Sequence, residues 1–309
     1  MPLNGLLNSP LDPLELGASL YVPATRNDLI AIGQGRQIAD LRSVIFCLED
    51  SIAQSDLPMA LEHIRLTLPY LEAAKLCFVR TRNPETLEQL LNLRHIERLH
   101  GFVLPKISPD NLGDYLKVIR HATLGFAFHY MVTLETKETF SSSQMERLRD
   151  LLLASELPVL SIRIGGNDLL NLLALRRQRG IDAYATPLGL VIKQLLTIFK
   201  PAGFHISAPV YDFTDDPETL ARETTIDVQH GLISKTAIHP RQISIIEATY
   251  QVPSHDVLAA QAILAPNAPA VFRLDDQMCE PATHRNWAER ILRQAQVYGQ
   301  LPMVGGIDV

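Results

Sequence analysis

The sequence predicts an α/β fold, a (β/α)8 TIM barrel followed by a C-terminal helical and hairpin lid segment. Three observations point to it. Eight short, near-continuously apolar runs recur along the 309 residues, as strands buried on both faces should. Longer stretches with helical periodicity separate them. No G-x-G-x-x-G follows a strand and no P-loop is present, which removes the commonest reasons for an open nucleotide-binding sheet. An open doubly wound sheet is the alternative, because short strands are easily miscounted.

The strand candidates, in order, are Ser19–Val22, Val44–Leu48, Leu76–Arg80, Gly101–Leu104, Gly125–Leu134, Val159–Ile164, Phe204–Ala208 and Leu232–Ser234. Between them, Pro58 to Ala74 carries Leu61, Ile64, Leu68 and Leu71 on one helical face. Asn111–His121 and Gln144–Ser155 behave similarly. Leu188–Lys200 is apolar at Val191, Ile192, Leu195, Leu196 and Phe199, with Pro187 at a first-turn position. Asp216-Pro217 opens a helix that ends near His230-Gly231, where the glycine suits a C-cap. The barrel is expected over residues 1–252. The segment 253–309 differs: Ser254–Leu264 and Pro281–Tyr298 read as helices flanking a hairpin, an appendage to the barrel.

Composition narrows the class. Hydrophobic residues make up 47% and charged residues 20%, with a formal charge of −6. That balance excludes a strongly basic nucleic-acid binder. Cys47, Cys77 and Cys279 cannot build a disulfide framework, and two of them lie in apolar runs, which suits a reducing compartment. No apolar run is long enough for a membrane span, and the opening MPLNGLLNSPLD does not read as a secretory signal. A soluble, cytoplasmic enzyme is expected, with neither nucleic acid nor membrane as partner.

In a parallel barrel, polar groups at the C-terminal strand ends converge on one mouth. Here the strands end in Glu49-Asp50-Ser51, Arg80-Thr81-Arg82-Asn83, Pro105-Lys106, Glu135-Thr136, Arg163 with Gly165-Gly166-Asn167-Asp168, Tyr211-Asp212 and Lys235-Thr236. Glu135 and Asp168 follow adjacent strands. Two hard carboxylates suit Mg²⁺, with Glu49 and Asp50 near its waters; a rim or helix-cap role for Asp168 is the competing reading. Arg80, at the end of a buried strand, matches a substrate carboxylate bidentately, or else a salt bridge to Glu49 or Asp50. Lys106 and Lys235 are open between electrostatic support and structural pairing. His239 reads as a loop histidine. Zinc and nucleophile-elbow motifs are absent.

Taken in order, these strand ends resemble the citrate lyase β-subunit-like members of the HpcH/HpaI aldolase superfamily. Ser19-Leu-Tyr-Val-Pro23 resembles the opening strand, Cys47-Leu-Glu-Asp-Ser51 the D-L-E-D-S motif, and Val79-Arg80-Thr-Arg-Asn83 the V-R-x-N segment. Gly101-Phe-Val-Leu-Pro-Lys106, Leu134-Glu-Thr136, Gly165-Gly-Asn-Asp168 and Gly231-Leu-Ile-Ser-Lys-Thr-Ala-Ile-His-Pro240 follow in family order. The resemblance implies a Mg²⁺-dependent carbon–carbon lyase or synthase acting on a 2-keto-acid-derived substrate, such as a citryl, malyl or citramalyl thioester. It implies Glu135 and Asp168 as metal ligands and Arg80 as the carboxylate clamp, with Glu49 and Asp50 beside them. Asp276-Gln-Met-Cys-Glu-Pro281 resembles the family's lid motif, which makes Glu280 an acid or base delivered to a neighbouring subunit and suggests a homotrimer or a multiple of three. The competing reading of Glu280 is a helix N-terminal charge just before Pro281.

Departures leave alternatives. Cys47 and Ser234 replace family residues, and Arg176, Arg177 and Arg179 cluster where the usual pattern differs. With Lys106, Arg176 and Arg177 are candidates for binding the anionic part of a carrier: coenzyme A, an acyl carrier protein, or neither. A thioester hydrolase on the same scaffold and a non-catalytic complex subunit are the competing functions.

Overall fold

The computed structural model describes residues 11–38, 40–122 and 127–302. Most of the opening MPLNGLLNSPLD stretch, and the first two residues of the Gly125–Leu134 strand candidate, lie outside the described residues. The chain divides into two compact units, one ending at Ile246 and one beginning at Glu247.

In the first unit eight parallel strands form one sheet. They are β1 (Ala18–Pro23), β2 (Ser43–Cys47), β3 (Leu76–Arg80), β4 (Gly101–Leu104), β5 (His129–Leu134), β6 (Val159–Ile164), β7 (Ile206–Ser207) and β8 (Lys235–Ala237). Their order is β7-β6-β5-β4-β3-β2-β1-β8. A parallel bridge between Ala208 and Lys235 joins the two ends, supported by Ala208 N–H donating to Ser234 O at 2.8 Å. This is the (β/α)8 barrel that the alternation predicts, and the open-sheet alternative falls away.

The last two strands differ from the sequence expectation, for a reason built into closure. The chain at Ile233 and Ser234 is bonded to the β7 side, while Lys235–Ala237 pairs with β1. Barrel strands must stagger, so the apolar run Leu232–Ser234 precedes the segment that pairs. Regular β7 is two residues long, and Pro209 brings no N–H to extend the ladder.

Helices α1 (Leu29–Gly33), α2 (Leu57–Thr67), α3 (Pro84–Leu91), α4 (Leu112–His121), α5 (Ser142–Ser155), α6 (Gly166–Leu172), α7 (Pro187–Phe199), α8 (Pro217–Gln229) and α9 (Pro240–Thr249) connect and follow the strands. Their starts are written locally. Asn83, Thr186 and Asp216 accept backbone N–H bonds at the N-termini of α3, α7 and α8, each with proline in the first turn. Gly231 follows α8 at φ +75°, where a side chain would be strained. The helix expected over Pro58–Ala74 ends at Thr67 and continues as a 3-10 turn, Leu68–Tyr70, because Pro69 cannot donate to the helical ladder. Ile64, Leu68 and Leu71 of its apolar face are buried.

The second unit has its own core. α10 (Ser254–Leu264) packs with α11 (Pro281–Tyr298), and the hairpin strands β10 (Phe272–Leu274) and β11 (Gln277–Cys279) lie between them in sequence. Val252, Val257, Ala260, Ile263, Cys279, Ala288 and Ile291 form one buried cluster. Gln294 Nε2 donates to Tyr250 O at 2.8 Å within the same unit. No described helix is long and apolar enough to cross a membrane.

The strand pleat sends alternate side chains to opposite faces, and it resolves the role of Lys235. Thr236 lines the cavity at the barrel mouth, so Lys235 faces outward, towards α8. There its ammonium meets Glu223 at 2.8 Å and Asp227 at 2.7 Å. Glu223 also takes both ends of the Arg177 guanidinium, at 2.7 and 2.8 Å, and Tyr184 O–H donates to Asp227 at 2.7 Å. These four charged residues are buried, so the network is structural pairing. Removing one cation leaves a buried carboxylate uncompensated, which costs roughly 3–5 kcal/mol. Lys235→Met is expected to lower the melting temperature by roughly 6–20 °C. Calorimetry checks this, and a change within two degrees would contradict the pairing role.

Candidate active site

The C-terminal strand ends open into one cavity of about 310 Å³. Tyr21 from β1, Arg80 from β3, Thr133 from β5, Arg163 from β6 and Thr236 from β8 reach it, together with Asp50 and Glu135 from the segments after their strands and Asp168 from the first turn of α6. On β5 and its end, Thr133 and Glu135 share one face by the period-two rule; on β6, Ser161 and Arg163 do.

Arg80 is the hub. Its Nη2 donates to Glu135 Oε1 at 2.7 Å and sits 2.7 Å from Glu49 Oε2 and 3.5 Å from Asp50 Oδ2. Only 9% of Arg80 is exposed, yet its Nε has no hydrogen-bond partner. The salt-bridge reading of this arginine therefore holds. One corner of the fork makes the salt bridges, while another buried donor is left for an acceptor that the described residues do not supply.

Lys106 turns at φ +52° after β4. Its backbone N–H donates to Glu135 Oε1 at 2.9 Å, and its ammonium bonds to Glu49 and to Asp50 Oδ1, the latter at 3.0 Å. The lysine thus neutralises the acidic pair from β2 and lies with Arg80, away from the 176–179 arginines. Arg82 holds the loop that carries Glu49 and Asp50 by donating to the carbonyls of Leu48, Glu49 and Ile52 at 2.9–3.0 Å.

Glu135 is 3% exposed. Burial pushes its carboxyl up to about 7; Arg80 pulls it down, and Asp168 and Glu49 push it further up. Both of its hydrogen bonds fall on Oε1. Oε2 lies against Gly165, where a Cβ would stand 2.2 Å away, so the glycine makes room for the carboxylate. Asp168 lies within the first turn of α6, whose N-cap is Gly165 without a side-chain cap bond. The capping reading of Asp168 is therefore not what the helix uses. Among the described residues no group of three or more His, Cys, Asp or Glu gathers as a cation site, and the hard oxygen donors of the cavity that face β5 and β6 are Glu135 and Asp168.

The arginine cluster is a correction. Arg177 is buried and bound to Glu223 and to Val210 O, so its guanidinium is not available to a carrier. Arg179 pairs with Asp215 at 2.6 Å and lies over the Phe213 ring. Arg176 is exposed and makes no ion pair with a described residue, so the three arginines close in sequence have three different environments. His239 accepts from Arg241 N–H at 3.1 Å, as a loop histidine. Glu280 stands at the N-cap of α11 in the second unit, and its carboxylate accepts from Thr283 Oγ1 at 3.1 Å. Sequence reasoning did not single out Arg163 or Arg82. Arg163 had a signal, since it shares the inward parity of Ser161 two residues before Gly165.

A closed parallel barrel with ionisable groups gathered at its C-terminal mouth is the layout of a TIM-barrel enzyme. The chain belongs to the C–C bond lyase family of the TIM-barrel fold, whose model matches residues 10–300. It is a lyase by that membership, and the resemblance to citrate lyase β-subunit-like proteins is borne out. Solved structures agree in fold. CitE of Mycobacterium tuberculosis, in complex with magnesium, acetoacetate and coenzyme A, is 21% identical, with a TM-score of 0.65, covering 91% of this chain and 98% of its own. A citrate lyase of Burkholderia xenovorans LB400 is 18% identical, with a TM-score of 0.71, covering 96% and 98%. RipC of Yersinia pestis is 21% identical, with a TM-score of 0.57, covering 77% and 96%. No curated protein sequence matches the chain.

The raised carboxyl of Glu135 sets a pH dependence. Its folded value of about 7 exceeds the ordinary 4.5, so the folded state binds more protons between those values. Stability from this group is full below 4.5 and is lost as pH rises through 7. In buffer containing EDTA, Glu135→Gln is expected to be more stable than wild type at pH 8, with the difference shrinking towards pH 5. Urea denaturation at the two pH values checks this; an equal difference at both would contradict it.

Proposed function

We propose that this lyase breaks or forms a carbon–carbon bond beside a 2-keto acid, with Mg²⁺ held by Glu135 and Asp168 and the keto-acid carboxylate held by Arg80. The observation that carries the proposal is the coincidence, in one cavity, of the buried unpartnered Arg80 Nε with the two carboxylates Glu135 and Asp168. The donor set suits a hard cation, since Glu135 Oε2 receives no hydrogen bond from a described residue and Asp168 lines the same space. Mg²⁺ would act there as a Lewis acid, stabilising charge on the keto-acid oxygens.

The remaining roles belong to this chain's side chains. Arg80 binds and orients the carboxylate, and its bonds to Glu49 and Glu135 fix the guanidinium. Lys106 and Arg82 hold the Glu49–Asp50 loop in place. In the cleavage direction a base takes the proton of the substrate hydroxyl, and that carbon–oxygen bond becomes the keto group. The electron pair of the breaking carbon–carbon bond passes to the acyl fragment, which is then protonated. We assign the base to Glu280, delivered by the C-terminal segment of a neighbouring subunit in a homotrimer or a multiple of three. This assignment rests on the likeness of Asp276–Pro281 to the family lid motif. The acyl fragment is proposed to be a thioester, as the coenzyme A bound in the CitE relative suggests.

Citryl-, malyl- and citramalyl-CoA are the substrates to test. Cleavage of one of them to a keto acid and a shorter thioester is expected with Mg²⁺ and is lost in EDTA. Glu135→Gln is expected to lower kcat/KM by about 10²–10³-fold. Wild-type turnover that survives EDTA would overturn the metal role, and release of intact hydroxy acid with free thiol would assign a hydrolase instead. Mixed oligomers of Arg80→Met and Glu280→Gln chains are expected to regain part of the activity that neither variant shows alone. Absence of rescue in verified mixed oligomers would contradict delivery of Glu280 across subunits.

A further inference from the structure

The buried cations of the barrel unit are paired with acids, with one exception. Arg80 meets Glu49 and Glu135, Arg177 meets Glu223, and Lys235 meets Glu223 and Asp227. Arg163 is 2% exposed and has no carboxylate partner among the described residues. Its Nη2 donates to the neutral Thr236 Oγ1 at 2.6 Å, and its Nη1 reaches only the weak acceptor Met131 Sδ at 3.6 Å. Desolvating a guanidinium without a counter-anion is costly, and a thioether does not offset it.

Two further observations place the missing anion in the mouth. Thr133 is the register partner of Arg163 across β5 and β6, and both side chains line the cavity. The Thr133 hydroxyl is buried and makes no hydrogen bond. A guanidinium without a carboxylate partner and an unsatisfied hydroxyl, side by side, form a donor pair that fits one carboxylate. In addition, Arg163 and Arg80 lie over the same Tyr21 ring, at 5.3 and 5.9 Å from its centroid. Glu49 and Glu135 answer Arg80 there, whereas Arg163 has no carboxylate partner among the described residues.

We infer that Arg163, with Thr133, is a second anion receptor that selects substrates whose keto-acid half carries a further carboxylate. The inference rests on the proposed binding of the keto-acid carboxylate at Arg80 and adds a specificity-determining residue to it. A single guanidinium with one nitrogen already on Thr236 matches one negative charge, which favours a carboxylate over a phosphate dianion.

Calorimetric titration with Mg²⁺ present tests the inference without turnover. The probes are oxaloacetate and 2-oxoglutarate, against pyruvate and 2-oxobutanoate, which lack the second carboxylate. Wild type is expected to bind at least one dicarboxylate about ten-fold more tightly than its monocarboxylate counterpart. Arg163→Met is expected to reduce that ratio to within about two-fold, while the monocarboxylate Kd moves little. It is also expected to melt no lower than wild type without ligand, because it removes an unpaired buried charge; a structural arginine would lower the melting temperature. Arg163→Lys, which keeps the charge without the fork, is expected to give an intermediate ratio. A wild-type protein without the preference, or a folded Arg163 variant that keeps it, overturns the role of Arg163 while leaving keto-acid binding intact. Tighter binding of 3-phosphonopyruvate than of oxaloacetate overturns the carboxylate assignment. If the wild type binds none of the keto acids, the Arg80 reading fails and takes this inference with it.

Discussion

The mouth of this barrel depends on the burial of the Arg80 guanidinium between two carboxylates. Glu49 arrives from the loop after β2 and Glu135 from the end of β5, and one nitrogen of Arg80 touches both at 2.7 Å. The arginine offsets part of the cost of burying two anions at that depth, and they in turn answer its charge. The contact ties three strand ends together and fixes where the cavity's charge lies. Glu49, Asp50 and Glu135 pair with Arg80 or Lys106, while Asp168 and Arg163 line the same cavity as Arg80. Hard carboxylate oxygens on the wall of that cavity would suit a divalent cation, and a cation so bound would invite an anionic substrate.

The same barrel contains a second network of buried charge, and the pleat keeps the two apart. Thr236 points to the mouth, whereas Lys235 points outward to Glu223 and Asp227 on α8. In the outer network each cation is answered by an acid and Tyr184 completes Asp227, with Arg177 Nε left without a hydrogen-bond partner and away from the cavity lining. The inner one borders a cavity of about 310 Å³, and there Arg80 Nε and the Thr133 hydroxyl are buried without partners. The contrast separates a group of charges that fastens α8 to the barrel from a group arranged for something that enters. Neither buried polarity nor an unsatisfied donor alone distinguishes a site from a staple; unsatisfied groups that line a cavity do.

Much of this was legible in the residues. Leu76–Arg80, Gly101–Leu104 and Val159–Ile164 are strands with the bounds their apolar runs suggest, because strands buried on both faces leave a continuous signal. Polar residues directly after such runs must lie at one end of a parallel barrel, so Arg80, Glu135 and Asp168 were found without coordinates. The closing strands were less clear, since stagger moves pairing away from the apolar run at Leu232–Ser234. The Arg176, Arg177 and Arg179 cluster misled for a different reason. On irregular backbone after α6, adjacency in sequence says nothing about direction, and Arg177 turns inward to Glu223 while its neighbours do not. Arg163 stands among the strand-end groups read from the sequence, but the motif matched there, Gly165-Gly-Asn-Asp168, begins after it and gives it no role.

The central claim is that Glu135 and Asp168 together hold a divalent cation at this mouth. Mn²⁺ offers a direct measure, because its electron paramagnetic resonance signal separates free from bound ion. Titration of the metal-free protein is expected to show saturable binding that tightens when oxalate is added and that is lost in both Glu135→Gln and Asp168→Asn. Undiminished Mn²⁺ binding in both folded variants would contradict the claim.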